Sequence, residues 1–126
     1  MGIMDSLMGN SSTYSVEATT EELKDVLFPG ETVEQSYKLI RDLIVFTSNR
    51  LIMVDKQGMT GKKVEYHSIP YKSISHFSTE NAGTFDLDSE LKIYISSATT
   101  PIQKTFKKGS CIADVQKLLA YYVCGR

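Results

Sequence analysis

The sequence has no tryptophan and only two cysteines and three prolines, and it has no long hydrophobic run. Its longest apolar runs, residues 43–46 and 51–54, are the length of strands, whereas a membrane-spanning helix needs about 20 apolar residues. The first residues also lack the basic leader and apolar stretch of a secretory signal. We therefore expect no integral membrane segment, no export and a cytoplasmic location.

The two cysteines, Cys111 and Cys124, both fall in a segment that is predicted to be one helix. At a rise of about 1.5 Å per residue they would lie about 20 Å apart, beyond the reach of a disulfide. We expect reduced, mostly buried thiols of the kind found in cytoplasmic proteins.

The charge is small overall but unevenly distributed. The formal net charge is −1, yet residues 1–33 carry one lysine against six acidic residues, and residues 91–126 carry six basic residues against Asp114. A near-neutral chain is not expected to bind nucleic acid non-specifically. The two ends have complementary charges, which favours contact within one chain or between subunits.

The start of the chain is predicted to be separate from the folded domain. Residues 1–16 read as a flexible or short-helical segment, and residues 17–126 as a single domain of ordinary size. Thr19 and Glu22 have the spacing of a capping box, and the turn Pro29-Gly30 ends the predicted helix. The apolar residues at helical spacing in between are Leu23, Val26 and Leu27.

The middle of the chain has the pattern of an antiparallel β-domain. Short β-rich runs alternate with polar or glycine-containing turns about every ten residues, and no helical crossover separates them. We predict seven strands, over residues 33–40, 43–47, 50–55, 63–69, 73–79, 90–96 and 102–106.

A last helix with a broad apolar stripe follows the strands, capped at Ser110 and ended by Gly125. Its stripe consists of Ile112, Val115, Leu118, Leu119 and Tyr122. Such a stripe must be buried, and it suits the open mouth of a curled sheet. The sequence therefore predicts a mainly β (α+β) fold: a seven-stranded antiparallel barrel or sandwich of pleckstrin-homology type, capped by a C-terminal helix and preceded by an extra N-terminal helix.

Residues 39–55 and 61–71 are similar in sequence to the bacterial pleckstrin-homology domain family. The specific parts are Phe46-Thr47, Arg50-Leu51 and Ser68-Ile69-Pro70-Tyr71, and the similarity extends over about residues 27–122. The resemblance implies the seven-stranded PH-like barrel, frequent assembly into homo-oligomeric rings, and no enzymatic activity. It implies no catalytic residue and no cofactor.

The residues themselves also give little support for an enzyme or a metal site. The neighbouring pairs His67-Ser68 and Ser75-His76 invite a hydrolase reading, but adjacent strand residues are expected to point to opposite faces. Asp86, Asp88 and Glu90 alternate like a calcium loop but lack its central glycine, and two histidines and two distant cysteines have no zinc spacing. We expect no catalytic residue, no metal and no cofactor.

The candidate contact residues are basic. Lys38 and Arg41 lie at the first hairpin, Lys62 and Lys63 after the glycine turn at residues 57–61, and a further group in the last strand comprises Lys104, Lys107 and Lys108. We expect a non-catalytic interaction module that self-associates into a homo-oligomer, including a ring such as a pentamer, and that binds a protein partner still to be identified. The alternative is a peripheral domain that binds anionic phospholipid head groups; membrane contact is the less favoured interpretation because few basic residues cluster.

Overall fold

A computed structural model describes residues 13–39, 42–58, 62–80, 88–107 and 111–125. These residues form two antiparallel sheets and two helices. In chain order the elements are β1 (Thr13–Tyr14), α1 (Val16–Glu22), β2 (Val33–Lys38), β3 (Leu43–Thr47), β4 (Arg50–Gln57), β5 (Lys63–Pro70), a 3₁₀ turn (Tyr71–Ser73), β6 (Ile74–Glu80), β7 (Ser89–Ile95), β8 (Ile102–Phe106), α2 (Ile112–Leu119) and a π-helical turn (Ala120–Cys124). The mainly β fold with one helix before and one after the strands is confirmed.

All seven predicted strands are present, and each end lies within two residues of its predicted position. The structure adds one strand that the sequence did not reveal, because β1 has only two residues and therefore no measurable alternation. It pairs with β2, with Thr13 opposite Tyr37 and Tyr14 opposite Ser36.

The strands do not form one closed layer, which corrects the expectation of a continuous barrel. Sheet A has the order β1-β2-β3-β4-β5 and sheet B the order β6-β7-β8, with no strand pairing between the two sheets in the described residues. The break follows Pro70, which has no amide hydrogen for a further ladder bond, and the 3₁₀ turn then redirects the chain. The chain divides into two compact units at this point, the first ending at Pro70 and the second starting at Tyr71.

In the first unit, every residue of β3 is buried, so both faces of sheet A are covered at its centre. One face carries an apolar cluster of Leu23, Val33, Leu43, Val45, Ile52 and Val54. Residues of α1, of the turns after it and of both edge strands pack against this cluster: Tyr14, Val16, Val26, Leu27 and Val64. The segment from α1 to Leu27 therefore covers this face of the sheet.

The N-terminal helix begins one turn earlier than its predicted capping box. Ser15 is the N-cap, and its hydroxyl accepts a hydrogen bond from the amide of Ala18 at 3.1 Å. Thr19 lies inside the helix, fully buried, and its hydroxyl is 2.7 Å from that of Ser36 on β2. The predicted cap was wrong because Thr19 lies within the helix, where the Ser36 hydroxyl satisfies its buried hydroxyl group.

In the second unit, α2 and the turn after it bury the predicted apolar stripe. Val115, Leu118, Leu119 and Tyr122 are all buried, and Ile112 is partly buried. The ring of Tyr122 stacks on that of Tyr71, with centroids 4.5 Å apart. Thr79 on β6 donates a hydrogen bond to Gln116 at 2.6 Å, which joins α2 to sheet B.

The ends of this helical segment differ from the prediction in two ways. The N-cap is Cys111, without a capping side-chain bond, and the predicted cap Ser110 lies outside the described residues. Neither Cys111 nor Cys124 is in a disulfide, but only Cys111 is buried, because Cys124 lies at the last turn with its side chain in solvent. No helix in the described parts of the chain is both long and apolar enough to span a membrane.

Candidate functional site

Three residues that carry the family resemblance, Thr47, Arg50 and Ser68, join Glu31 in a polar cluster, which we call the clamp. The guanidinium of Arg50 binds the Glu31 carboxylate with two hydrogen bonds, from Nε to Oε2 and from Nη2 to Oε1, each 2.9 Å long. The Thr47 hydroxyl donates a third bond to Oε2 at 2.6 Å. The Glu31 side chain is completely buried, and that of Arg50 is 22% exposed.

Arg50 also ties the clamp to the segment after α1 and to β5. Its Nη2 donates to the carbonyl of Val26 at 2.9 Å, and its Nη1 donates to the hydroxyl of Ser68 at 2.7 Å. Nearly all of the donors of Arg50 are thus used inside the protein. The clamp therefore holds the covering segment onto sheet A, and Arg50 has little remaining capacity to bind an external anion.

The clamp keeps both of its charged groups ionised. Burial favours the neutral form of Glu31 and would raise its pKa, but bonds from Arg50, Thr47 and the amide of Phe28, together with the Arg50 charge, lower the pKa below its ordinary value. The bond to Glu31 raises the pKa of Arg50, against the smaller opposing effect of burial.

Sequence reasoning named Thr47, Arg50 and Ser68 only as residues that carry the family resemblance, without a role, and it missed Glu31. One signal was available, because an arginine at the start of a strand that is otherwise buried needs a nearby counter-charge. Glu31 is an acid two residues before β2, the neighbour of β3.

The basic residues predicted at the first hairpin and after the glycine turn at residues 57–61 lie at one end of sheet A where the structure describes them. Lys38 ends β2 with its ammonium 5.5 Å from the centre of the Tyr14 ring, and Lys63 begins β5, with exposed Lys62 just before it. Arg41 lies outside the described residues. The structure therefore brings three of the four predicted lysine and arginine side chains to the same end of the sheet.

Acidic residues occupy the same end of the sheet. The Asp42 carboxylate accepts a hydrogen bond from the amide of Lys56 at 3.1 Å, and Lys56 forms a salt bridge with Glu22 at 3.0 Å. Asp55 lies beside Lys56 on β4. The potential at this end is therefore mixed rather than strongly positive.

The third basic group lies in the second unit. Lys104 is on β8 opposite Leu91, and Lys107 is 3.8 Å from Asp88 in an exposed salt bridge. Glu90 on β7 accepts hydrogen bonds from Gln103 and Thr105, which lie on β8 on either side of Lys104. Lys108 lies outside the described residues.

The side chains of Ser75 and His76 lie within hydrogen-bond distance, although neighbouring strand residues were expected to point to opposite faces. A register shift between Ile74 and His76 interrupts the ladder between β6 and β7, and the Ser75 hydroxyl lies 3.1 Å from Nδ1 of His76. The expectation that neighbouring residues point apart was therefore wrong here, because a bulge changes the side-chain directions. The same hydroxyl bonds the carbonyl of Tyr94 at 3.0 Å, and the His76 ring stacks on that of Tyr94.

The second pair, His67 and Ser68, is exposed on β5, and Ser68 accepts the bond from Arg50. Within the parts of the chain that the structure describes, no group of three histidine, cysteine or acidic side chains could hold a metal ion. Of the calcium-like triplet, Asp86 lies outside those parts.

The remaining surface feature is a pair of strand edges. The outer strands are β1 and β5 in sheet A and β6 and β8 in sheet B. Six of the eight residues of β5 are exposed, among them Tyr66 at 41%. Within the described sheets, β5 and β8 are thus each paired with a neighbouring strand on one side only.

Comparison with known proteins identifies the family to which this fold belongs. The family model described as "Bacterial PH domain" matches residues 2–123. The chain belongs to the bacterial PH domain family.

Several relatives match over almost their whole length. The protein YjqA of Bacillus subtilis (strain 168) is 63% identical over 121 residues, which cover 95% of this chain and 97% of YjqA. The crystal structure of a pleckstrin homology domain from Shewanella amazonensis SB2B is 51% identical, with a TM-score of 0.84, and the match covers 98% of this chain and 100% of that one. A DUF1696 family protein with a pleckstrin-homology domain from Shewanella loihica PV-4 is 46% identical, with a TM-score of 0.78, and the match covers 91% of this chain and 98% of that one.

Proposed function

We propose that this PH domain is a non-catalytic interaction module that self-associates into a closed homo-oligomeric ring. The observation that carries the proposal is the pair of different outer strands, β5 on sheet A and β8 on sheet B. An outer strand is a template for pairing with another chain. A subunit with two different complementary edges joins its copies head to tail, and such an assembly closes into a ring when the rotation per subunit permits.

The clamp has a structural role in the first unit. Its charged groups are engaged with each other and with the backbone, so they serve to hold the fold together. The exposed Ser75 and His76 have a shared hydrogen bond, but the Ser75 hydroxyl also bonds a backbone carbonyl, so its proton is not committed to the histidine.

The test is multi-angle light scattering of the purified chain over a range of concentrations. The proposal predicts a discrete oligomer whose mass is a fixed multiple of 14.1 kDa. A monomer at high micromolar concentration would refute it. Native mass spectrometry then gives the number of subunits.

A second candidate is binding of anionic phospholipid head groups at the end of sheet A. The observation in its favour is that Lys38, Lys62 and Lys63 share this end. Each basic residue near an anionic surface contributes about 1 kcal/mol, and neighbouring Asp42 and Glu22 offset part of that. Co-sedimentation with phosphatidylserine vesicles at low salt tests it, and the absence of binding there removes it, because added salt only weakens such attraction.

A further inference from the structure

Two lysines at the basic end of sheet A contact side chains of the N-terminal segment. The Lys56 ammonium lies 3.0 Å from the carboxylate of Glu22, the last residue of α1, and the Lys38 ammonium lies 5.5 Å from the centre of the Tyr14 ring on β1. We propose that these two contacts compete with an anionic phospholipid surface for the same ammonium groups. The inference rests on phospholipid binding at this end of the sheet, the second candidate function, and describes how that binding is regulated.

The two lysines lie on one face of sheet A. Lys38 is opposite Leu43 in one ladder, and Leu43 is opposite Val54 in the next. Lys56 follows Val54 by two residues on β4, so its side chain shares their face. From the spacing of strands and the rise per residue, the Cα atoms of the two lysines lie about 12 Å apart. Both lysines thus lie at the margin of the face that the N-terminal segment covers, close enough to contact one membrane surface together.

The salt bridge between Lys56 and Glu22 is partly shielded from water. The Lys56 side chain is 31% exposed and the Glu22 side chain 26%. The salt bridge between Glu21 and Lys24, in the same part of the chain, has side chains that are 74% and 65% exposed. A partly buried pair is screened less by salt than an exposed pair. Lys56 therefore contributes little to the attraction of an anionic surface while its salt bridge is intact.

The helix that carries Glu22 is held in place independently of this salt bridge. Thr19 is fully buried, with its hydroxyl 2.7 Å from that of Ser36, and Leu23 is fully buried in the apolar cluster. Release of Lys56 to a phospholipid therefore needs only a side-chain rearrangement, and the Glu22 carboxylate stays beside the membrane. Its negative charge opposes binding unless the surface is strongly anionic. The salt bridge thus sets the density of anionic lipid that the domain requires.

The Tyr14 ring occupies the second lysine. β1 is paired with β2, and the Ser36 hydroxyl donates a hydrogen bond to the Tyr14 carbonyl at 3.1 Å, so the ring is fixed next to Lys38. The quadrupole of the ring attracts the ammonium, but a phosphate oxygen that carries a charge attracts it more strongly. An anionic lipid can therefore displace the ring from Lys38.

Vesicle co-sedimentation tests the competition. Glu22→Gln keeps the shape of the side chain and releases Lys56, so binding to phosphatidylserine vesicles at low salt should tighten about fivefold, the factor expected for one more basic residue near an anionic surface. The variant should also bind vesicles of a lower phosphatidylserine content than the unmodified protein requires. Vesicles of phosphatidylcholine alone, which carry no net charge, should bind neither protein.

The matched control is Glu21→Gln, which removes the same charge from the neighbouring position of α1 but releases only the exposed Lys24. It should change vesicle binding much less than Glu22→Gln, because exposed ion pairs are weak. The double variant Glu22→Gln with Lys56→Gln has no released ammonium and should lose the gain. Far-UV circular dichroism confirms that each variant is folded.

A second pair of variants addresses Lys38. Tyr14→Leu keeps an apolar side chain against the cluster and removes the ring, so it should tighten binding about two- to fivefold, the range for a cation on an exposed ring. Tyr14→Phe keeps the ring and should bind as the unmodified protein does. Equal binding by both variants would contradict the role of the ring.

Acylation by an N-hydroxysuccinimide ester, located by mass spectrometry, reports on Lys56 directly. Without vesicles, Lys56 should react slowly in the unmodified protein and faster in Glu22→Gln. Phosphatidylserine vesicles should protect Lys56 of the variant, and phosphatidylcholine vesicles should not. If Lys56 stays equally reactive while the variant sediments with phosphatidylserine vesicles, the lipid does not bind this lysine and the competition is overturned.

The outcomes separate this inference from the function on which it rests. If neither the unmodified protein nor Glu22→Gln binds phosphatidylserine vesicles, phospholipid binding itself is refuted, and its regulation with it. If both bind equally, or if Glu21→Gln tightens binding as much as Glu22→Gln, phospholipid binding stands and the competition is overturned. A gain that persists in the double variant also overturns it, because the gain then does not come from Lys56.

Discussion

Replacing Arg50 with methionine removes the guanidinium from the clamp and leaves the Glu31 carboxylate buried. That carboxylate is completely shielded from solvent and would keep only the Thr47 hydroxyl and the Phe28 amide as hydrogen-bond donors. Breaking a buried ion pair by removing one partner costs about 3–5 kcal/mol. Domains of this size have a free energy of unfolding of about 5–15 kcal/mol, so the loss is a large fraction of the total.

Urea denaturation measures this loss. With a denaturant slope of about 2 kcal/mol per molar, the midpoint should fall by roughly 2 M. Because the chain has no tryptophan, far-UV circular dichroism and tyrosine fluorescence are the probes. Lys24→Met removes a lysine from an exposed pair and should change the free energy of unfolding by less than about 1 kcal/mol.

The cost of Arg50→Met in free energy of unfolding should depend on pH in one direction. In the unmodified protein the folded-state pKa of Glu31 lies below its ordinary value, 4.5, so the stability it contributes is present above that value and is lost as pH falls through the lower folded pKa. Without Arg50, burial instead raises the Glu31 pKa, and stability is lost as pH rises through that raised value. The cost of Arg50→Met should therefore shrink between pH 7 and pH 4.

A companion variant checks the reasoning. Glu31→Gln together with Arg50→Met removes both charges and should recover much of the stability that Arg50→Met alone removes, because no unpaired charge stays buried. A cost below 1 kcal/mol for Arg50→Met, or a cost that is the same at pH 4 and pH 7, would refute the interpretation of the clamp.

Three further predictions concern the packing and the thiols. Thr19→Val removes one partner of the buried hydroxyl pair with Ser36 and should lower the free energy of unfolding by about 1–3 kcal/mol, measured by urea denaturation; the double variant with Ser36→Ala should cost less than the sum of the single changes. Leu23→Ala opens a cavity in the cluster on the covered face of sheet A and should cost about 2–5 kcal/mol in the same assay, and a value below 1 kcal/mol would mean that the covering segment is not packed there. A thiol reagent added to the folded protein should modify exposed Cys124 rapidly and buried Cys111 only on unfolding, and equal rates would contradict the burial of Cys111.

The strands were predictable because their signal is local. β3 and β8 have the bounds that alternation and turn residues indicate, and the other predicted strands differ by at most two residues. The division into two sheets was not predictable in this way, since it depends on which strands pair around Pro70. Strand pairing is a long-range property that a single sequence pattern does not specify.

The site was less predictable because its geometry depends on tertiary contacts. Glu31 and Arg50 are distant in sequence and meet only when the chain after α1 turns back onto sheet A. The side chains of Ser75 and His76 come together because of a β-bulge, which the residue types at these positions do not predict. The lysines at this end of sheet A could be found from the sequence, but the contacts of Glu22 and Asp42 with Lys56 at the same end form only through the fold.

Hydrogen–deuterium exchange as a function of protein concentration tests most directly the claim that the outer strands join subunits. The amides of β5 and β8 that point away from their own sheets should exchange slowly at high concentration and rapidly on dilution, while amides in the centre of β3 should be protected at both concentrations. Rapid exchange of the β5 and β8 outer amides at every concentration at which an oligomer is present would contradict the account.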